Sequence, residues 1–459
     1  MPTTIAPLTR SHPIPSRARL ARALDAAVRT WSGRTVLRAE IDVEPVDALA
    51  WLAAQEGGPA HTWHAREAAE MRAAWGAALT IDAPSLEALA LPELPPCARM
   101  YGAARFAPDT QVSPEWTPFG RVRFVLPRVE LRTDGRTAFL AVHLAPGEAI
   151  AAARLDLEAL RPAASVPAPS APPQPFARGD APDRAGWTAA IAWALEAFAD
   201  GRLDKVVLAR RSRYTFANAL DPVDLLRRLQ SGTPRCFHAL VAPPGGGSAF
   251  LTATPERLFR LSGRTVETEA VAGTRPRALS DADDDRLRAE LLTSDKDQRE
   301  HAFVRDAIVD RLTPLTTALE SDGEASAMTL ARGRHLYTGI RGTLTADATA
   351  LDVLRALHPT PAVGGTPRRE AEAAIAHLEP FDRGLYAGPV GWIGRDAQGR
   401  EAAEFAVGIR SGLVHRDTLS LYAGAGIVAG SEARAEWDEI EHKAAEFARV
   451  FGLRPALAA

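Results

Sequence analysis

The chain has 459 residues, of which 46% are hydrophobic and 24% charged, and its formal net charge is −3. These values are typical of a globular protein with about two to four domains, and they argue against an intrinsically disordered chain or a nucleic-acid-binding surface. Two cysteines cannot form a disulfide framework, no apolar run approaches the roughly 20 residues of a membrane span, and segment 1–22 lacks a hydrophobic block, so we expect a cytoplasmic protein without a membrane partner.

The N-terminal part mixes helical and strand-like segments and carries no recognisable catalytic cluster. Apolar residues at helical spacing predict helices over 18–30 and 64–73. Alternating and β-branched residues predict strands over 121–126 and 138–144.

A segment rich in Pro, Ala and Ser, residues 162–184, separates this part from the rest of the chain. Such a composition predicts an exposed and extended linker. We therefore divide the chain into an N-terminal α/β subdomain (1–161), the linker (162–184) and a catalytic domain (185–459).

Beyond the linker, strands are closely spaced and alternate with a few helices. Helices are predicted over 187–198 and 222–229, along the stripe of Val304, Ile308 and Leu312 after the acidic stretch 280–285, from Thr366 and Pro367 onward, and over 431–451. Strands are predicted over 204–211, 237–242, 249–252, 265–270, 389–393, 405–411 and 418–422. Short connections indicate mostly antiparallel sheets with helices covering one face, an α+β or mixed α/β fold.

Lysine is nearly absent. Of the 54 basic residues only Lys205, Lys296 and Lys443 are lysines, and Lys205 opens the predicted strand 204–211. An ammonium group is compact and can lose its proton, whereas a guanidinium effectively cannot. The surviving lysines are therefore either chance remnants or groups whose chemistry arginine cannot supply.

The last predicted helix carries a polar face beside its apolar stripe. Glu432, Glu436, Glu439 and Lys443 follow one another at steps of three and four, so they share one side of the helix. Such a face is either a solvated row of ion pairs or a divalent-metal site, since Mg²⁺ favours one or two carboxylates with water and substrate oxygens. A predicted glycine-rich turn, 422–430, precedes the helix and offers backbone amides to an anion.

Other candidate groups lie earlier in the same half of the chain. Glu256 follows a predicted strand, Gly273 and Thr274 end another strand before Arg275, and Glu300 stands on a helix after an acidic turn. Each of these is compatible with an ordinary turn or an exposed helix face. Together with Lys205 they supply a potential base, a potential acid, a metal carboxylate and an anion pocket.

Seven segments, taken in order, resemble the chorismate-utilising enzymes, and most nearly the isochorismate synthases among them. They are 203–210, 253–258, 272–276, 294–301, 358–365, 384–391 and 423–428. The resemblance covers residues 185–453, and segment 115–120 is more loosely similar to the isochorismate synthases of menaquinone biosynthesis.

Three positions distinguish reactions within this family. Lys205 stands where isochorismate and salicylate synthases keep a lysine and anthranilate synthases a glutamine. Ala272 stands where aminodeoxychorismate synthases carry a nucleophilic lysine. Ala362 is as in isochorismate synthases, whereas salicylate and anthranilate synthases tend to have threonine there.

The resemblance also implies a role for each site residue. Lys205 in its neutral form would take a proton from water attacking C2 of chorismate, and Glu256, with its pKa raised, would protonate the departing C4 hydroxyl. The metal would be Mg²⁺, held by Glu300 and Glu439 and, through water, by Glu436. The implied substrate-binding residues are Gly273, Thr274, His335, Ala362, Tyr386, Arg410, Gly424, Gly426 and Lys443.

The resulting prediction is a monomeric, Mg²⁺-dependent isochorismate synthase that feeds menaquinone formation. A siderophore-pathway isochorismate synthase and a salicylate synthase, which goes on to eliminate pyruvate, are the enzymatic alternatives. A chorismate-binding regulatory protein without catalysis is the alternative of another class.

Overall fold

The computed structural model describes residues 16–107, 111–163, 165–166, 171–245, 247–278, 280–329 and 333–453. The helices are α1 (Ser16–Val28), α2 (Ala48–Ala53), α3 (Ile150–Ala159), α4 (Arg184–Ala199), α5 (Pro222–Gly232), α6 (Asp281–Thr293), α7 (Asp295–Leu312), α8 (Ala350–Leu357), α9 (Arg368–Leu378) and α10 (Ala433–Val450). Within these ranges no helix is long and apolar enough to cross a membrane.

The strands of the first half are β1 (Leu37–Val43), β2 (Ala60–His64), β3 (Met71–Trp75), β4 (Leu79–Ala83), β5 (Arg99–Ala104), β6 (Val122–Leu126), β7 (Val129–Thr133), β8 (Ala138–Leu144), β9 (Pro175–Ala181), β10 (Lys205–Phe216) and β11 (Phe237–Ala242). Those of the second half are β12 (Ser248–Thr254), β13 (Arg257–Ser262), β14 (Thr265–Pro276), β15 (Thr316–Ser321), β16 (Ser326–Thr329), β17 (Gly333–Leu344), β18 (Gly365–Thr366), β19 (Pro389–Arg395), β20 (Glu401–Val407), β21 (Ser411–His415) and β22 (Thr418–Ile427).

Two large antiparallel sheets organise the molecule. The first has the strand order β1-β8-β7-β3-β2-β11-β12-β21-β22-β10-β18, with β9 also paired to β10. The second has the order β15-β17-β14-β13-β20-β19-β5-β6-β4, with β16 on β17. Strands from both sides of segment 162–184 enter each sheet, through the pairs β2–β11 and β5–β19. The prediction of mostly antiparallel sheets flanked by helices is confirmed.

Aromatic side chains from the two sheets form the main core. Phe237 and Phe250 of the first sheet and Phe259 and Phe405 of the second are fully buried in one cluster. Phe259 and Phe405 stack with ring centroids 5.4 Å apart. This packing fixes one sheet against the other.

The start of α5 and the buried side of α10 agree with the sequence prediction. Asp221 caps α5 by accepting hydrogen bonds from the amides of Val223 and Asp224. In α10, Trp437 and Ile440 of the predicted stripe are buried, whereas Glu432 on the polar side is exposed. Helical periodicity therefore identified the buried face of this helix correctly.

The predicted helix over 64–73 is wrong, because this stretch joins two strands. His64 ends β2 and pairs with Met71, which begins β3. Trp63 and Ala73 on these strands are buried. The segment is rich in helix-forming residues, but propensity contributes less than about 0.7 kcal/mol per residue, and burial of large side chains outweighs it.

Other boundaries also differ from the sequence prediction. The linker range 162–184 contains β9, which pairs with β10. The acidic stretch 280–285 enters a helix of its own, α6, which ends at Thr293 before Ser294 caps α7. The single strand predicted over 405–411 is two strands, because the chain leaves β20 at Val407 and resumes in the other sheet at Ser411.

Candidate active site

A cavity of about 270 Å³ brings together residues from β10, β14, β17, β22, α7 and α10. Its lining includes both predicted catalytic residues and the three predicted metal-binding glutamates. It also includes all the predicted substrate-binding residues except Thr274, namely Gly273, His335, Ala362, Tyr386, Arg410, Gly424, Gly426 and Lys443. The side chain of Thr274 lies outside the described part of the structure; its backbone pairs with that of His335.

Lys205 is the first residue of β10 and is only 7% exposed. Its Nζ atom donates a hydrogen bond of 2.8 Å to Oε1 of Glu300 on α7. The β-branched run that follows it extends β10 between β22 and β18, so the lysine is held at the wall of the cavity. The side chain of Lys296, the second of the three lysines, lies outside the described residues.

Glu256 sits in the short connection between β12 and β13 and is 8% exposed. Its amide donates to the hydroxyl of Thr254 at 3.2 Å, and its carbonyl accepts from the amide of Val407 at 3.1 Å. Burial, followed by the negative charge of Glu269, raises the pKa of Glu256 to about 8. A carboxyl in this state holds its proton near neutral pH and can donate it to a leaving group.

Three glutamates present their carboxylates to the cavity, and each is engaged by a neighbour. Glu300 accepts from Lys205, Glu439 pairs with Lys443 at 2.6 Å, and Glu436 accepts from the hydroxyl of Ser431 at 2.8 Å. Glu436 is buried, whereas the side chain of Glu439 is 46% exposed. Of the four polar residues predicted to share one face of α10, Glu432 is not among the residues lining the cavity, whereas the other three are.

These carboxylates suit a magnesium ion by the chemistry of their donors. In the described ranges no group of three or more His, Cys, Asp or Glu side chains is arranged to hold a metal ion. Mg²⁺ needs only one or two carboxylates when water and substrate oxygens complete its shell. Glu300 and Glu439 both line the cavity, and their carboxylate oxygens are donors of the kind that Mg²⁺ prefers.

The glycine-rich segment 422–430 before α10 is a strand as far as Ile427, and only its last residues, 429–430, form the predicted turn. β22 continues to Ile427 and pairs with β10 along this stretch. A Cβ atom at Gly424 would lie 2.9 Å from the hydroxyl of Tyr386, and one at Gly426 would lie 3.1 Å from Cε of Lys205. Gly424 and Gly426 are needed because side chains approach the strand closely at these positions, and not because the chain turns there.

The backbone of β22 also offers polar groups to the cavity. Val207 and Ala209, the residues opposite Gly426 and Gly424, direct their amides away from β22, to Gly364 and Glu379. In an antiparallel pair, two directly opposite residues either bond to each other through their backbone groups or both direct these groups away. Gly424 and Gly426 therefore direct their own amides and carbonyls away from β10. Consistent with this, the carbonyl of Gly424 accepts a hydrogen bond of 3.0 Å from Lys443.

Gly273 interrupts β14 with a bulge. Its φ angle is +67°, a conformation that favours glycine, and the register shifts between Ala272 and Thr274. His335 on β17 donates from Nδ1 to the carbonyl of Gly273 at 3.1 Å, which fits a neutral ring. Burial, followed by the charge of Arg410, lowers the pKa of His335 to about 3. His335 is therefore uncharged at neutral pH and presents Nε2 as an acceptor.

Tyr386 and Arg410 form another wall of the cavity. The ring of Tyr386 stacks on Tyr422 with centroids 5.3 Å apart. Arg410 has a φ angle of +48°, which is uncommon for a residue with a side chain and is typical of functional sites. A guanidinium and a phenol together are suited to holding a carboxylate.

Two charged lining residues were not among the predicted site residues. Arg275 and Asp297 face the cavity and form an ion pair of 2.7 Å. Each has a local signal in the sequence, since Arg275 follows the Gly-Thr pair and Asp297 lies in the first turn of α7. His301, by contrast, is buried and bonds to the hydroxyl of Thr338 at 2.7 Å, so it is a structural histidine.

Comparison with known proteins points to one family. A family model described as chorismate binding enzyme matches residues 92–452. The chain is 36% identical over 375 residues to the chloroplastic isochorismate synthase of Catharanthus roseus, a match that covers 79% of this chain and 64% of that protein. The chain thus spans less than two thirds of the length of this plant relative.

A bacterial relative and a solved structure match over more of their length. The salicylate biosynthesis isochorismate synthase of Pseudomonas aeruginosa is 35% identical over 448 residues, which covers 91% of this chain and 89% of that protein. The structure of the menaquinone-specific isochorismate synthase MenF of Escherichia coli superposes with a TM-score of 0.80 at 30% identity. That match covers 94% of this chain and 99% of the other.

Proposed function

The chain belongs to the family of chorismate-binding enzymes, and from that premise we propose that it converts chorismate to isochorismate. One observation carries the proposal: Lys205 and Glu256 line the same cavity, and the carboxyl has a pKa of about 8. A hydroxyl shift of this kind needs a base for the incoming water and an acid for the departing hydroxyl, and the two side chains supply them.

In the proposed reaction Lys205, in its neutral form, removes a proton from a water molecule as that water attacks C2 of chorismate. Glu256 donates its proton to the C4 hydroxyl, which departs as water, so one water is consumed and one released. The double bonds of the ring rearrange between C2, where the new C–O bond forms, and C4, where the old C–O bond breaks. An arginine at position 205 would not serve, since a guanidinium keeps its proton at neutral pH.

We propose that Mg²⁺ is the cofactor and that Glu300 and Glu439 hold it, with Glu436 reaching it through water. When bound there, the ion supplies positive charge that offsets the repulsion between a substrate dianion and these carboxylates. Lys443, which pairs with Glu439, adds a further positive charge beside the ring carboxylate.

The remaining lining residues orient the substrate in this proposal. Tyr386 and Arg410 bind the enolpyruvyl carboxylate, Arg410 by a two-pronged contact. Backbone amides around Gly273 and Thr274, together with those of β22, bind the ring carboxylate. His335 and Ala362 complete the cavity wall.

Two positions favour isochorismate as the final product. Ala362 lines the cavity where salicylate synthases tend to have threonine, and Ala272 offers no amine for an attack on the ring. The second candidate function is salicylate synthase, which uses the same base and acid and then eliminates pyruvate.

We propose that the product feeds menaquinone formation. Support comes from the likeness to the menaquinone-specific enzyme of Escherichia coli, whose structure matches over 94% of this chain. Supply of a siderophore or salicylate pathway is the alternative, in keeping with the name of the Pseudomonas relative. The monomeric state and the cytoplasmic location stay predictions.

Incubation of the purified protein with chorismate and Mg²⁺, followed by chromatographic identification of the product, tests the proposed function. Isochorismate is the expected product. Sustained release of salicylate would favour the second candidate. Binding of chorismate measured by calorimetry, without any turnover, would identify a regulatory protein and refute the proposal.

A further inference from the structure

The backbone around Glu256 is held from the side away from the cavity by a buried ion pair. Arg66, in the connection between β2 and β3, directs Nη1 and Nη2 to the two carboxylate oxygens of Glu269 at 2.8 and 2.6 Å. The side chain of Arg66 is 7% exposed and that of Glu269 is 1% exposed. Neither residue is among those lining the cavity.

This pair contacts the chain on both sides of Glu256. Nη1 of Arg66 donates to the carbonyl of Pro255, and Oε1 of Glu269 accepts from the amide of Arg257 at 2.8 Å. The residues immediately before and after Glu256 are therefore tied to the same two side chains. Because the pair is bidentate and buried, its geometry is fixed more firmly than that of a surface contact.

Glu269 also acts on the carboxyl of Glu256 through its charge. The charged groups around Glu256 are Glu269 on β14, Lys205 on β10, Arg410 before β21 and Lys443 on α10. The three cations favour the ionised carboxylate, whereas Glu269 opposes it. The phenol of Tyr386 is neutral, because burial raises its pKa to about 12.

We infer that Arg66 and Glu269 are positioning residues for the proton donor: together they fix the backbone on both sides of Glu256, and Glu269 places a negative charge within electrostatic range of its carboxyl. The inference rests on the proposed function, in which Glu256 is the acid. It assigns a task to the N-terminal part of the chain, since Arg66 contributes to the site from outside the segment 185–453.

The pH dependence of turnover distinguishes this role from a structural one. Glu256 must be protonated to act, so activity is present below its pKa and is lost as the pH rises through about 8. Glu269→Gln keeps an acceptor for the amide of Arg257 and removes the charge. We expect the alkaline limb of kcat to move down by about one pH unit, while activity on the acid side of the limb changes little.

Two further variants separate the contributions of charge and position. Arg66→Gln/Glu269→Gln removes both charges, so no unpaired cation is left buried, and it should shift the limb in the same direction. Arg66→Lys keeps the positive charge but loses the two-pronged contact with Glu269 and the contact with Pro255. It should therefore lower kcat about 10-fold or more with little change in KM, because a small misplacement of a catalytic group is costly.

A second buried pair in the chain provides the control. Arg72 and Glu130 pair at 3.1 Å between β3 and β7, with side chains 6% and 1% exposed, and neither is among the residues lining the cavity. Arg72→Gln/Glu130→Gln should lower the melting temperature and leave the alkaline limb where it is. If the wild-type protein converts chorismate and neither charge-removing variant shifts the limb, or if Arg66→Lys retains full kcat, the inference is overturned. If the wild type does not convert chorismate at all, the proposed function fails instead.

Discussion

The side-chain nitrogen of Lys205 donates a hydrogen bond of 2.8 Å to Oε1 of Glu300, a residue 95 positions away in the chain. β10 and α7, which carry the two residues, meet at the cavity wall. The proposed base therefore lies in direct contact with a proposed metal ligand. A substitution at either residue changes the charge next to the other. Each of the two roles therefore needs its own variant and its own matched control.

Loss of the amine at position 205 should abolish catalysis without unfolding the protein. Lys205→Ala is expected to lower isochorismate formation by about 10² or more, the usual size of a general-base effect. Lys205→Arg is the matched control for charge, since it keeps a cation beside Glu300 but cannot accept a proton near neutral pH, and it should be as inactive. Turnover close to that of the wild type in either variant, with circular dichroism unchanged, would refute the assignment of the base.

Removal of a metal carboxylate should weaken the response to Mg²⁺. Glu300→Gln and Glu439→Gln are each expected to lose activity at every Mg²⁺ concentration, because an amide oxygen is a poorer ligand than a carboxylate. Glu432→Gln, on an exposed residue at the start of the same helix, should leave the Mg²⁺ titration unchanged. Full wild-type activity in excess chelator would argue against the metal role.

The glycines of β22 should not tolerate even a methyl group. In Gly426→Ala the new Cβ would lie 3.1 Å from Cε of Lys205 and 3.3 Å from Oε1 of Glu300, so these side chains must shift. We expect kcat to fall by about 10-fold or more, because a displaced base is poorly oriented. Gly179→Ala, on the strand β9 with no atom within 4 Å of its Cβ position, is the control and should behave as the wild type. Steady-state kinetics on both variants measure the difference.

The buried acid should reduce stability near neutral pH. The pKa of Glu256 is raised in the folded protein from 4.5 to about 8, so between these values the folded chain binds a proton that the unfolded chain releases. The free energy of unfolding therefore falls as the pH rises from 4.5 to 8. Glu256→Gln lacks this titration and should gain stability relative to the wild type over that window, by about 4 kcal/mol at its alkaline end. Denaturant titrations at several pH values give the difference, and a constant difference across the window would contradict the raised pKa.

Local pattern was sufficient to predict several elements of the site. The stripe of Trp437 and Ile440 identified the buried face of α10, and the β-branched run after Lys205 identified β10. Such predictions succeed because the period of the apolar residues follows directly from helix and strand geometry. The juxtaposition of Lys205 and Glu256 rested on the family resemblance, since spacing along the chain does not report on contacts between distant strands.

The failures of the sequence prediction have a common physical origin in long-range packing. Residues 64–73 look helical, but pairing of β2 with β11 and of β3 with β7 in the sheet decides their conformation. Arg66 and Glu269 are 203 positions apart, and nothing local to either residue predicts that they meet. The glycines before α10 suggested a turn over 422–430, whereas the structure has a strand as far as Ile427, where Gly424 and Gly426 leave room for the side chains of Tyr386 and Lys205.

In the proposed reaction a water molecule adds at C2 of chorismate while the C4 hydroxyl departs. The most direct measurement is the reaction of the purified protein with chorismate and Mg²⁺ in ¹⁸O-labelled water, with mass spectrometry of the product. We expect isochorismate carrying one labelled oxygen at C2, and about 10²-fold less of this product with Lys205→Ala. Isochorismate without the label, or chorismate recovered unchanged by the wild-type protein, would contradict it.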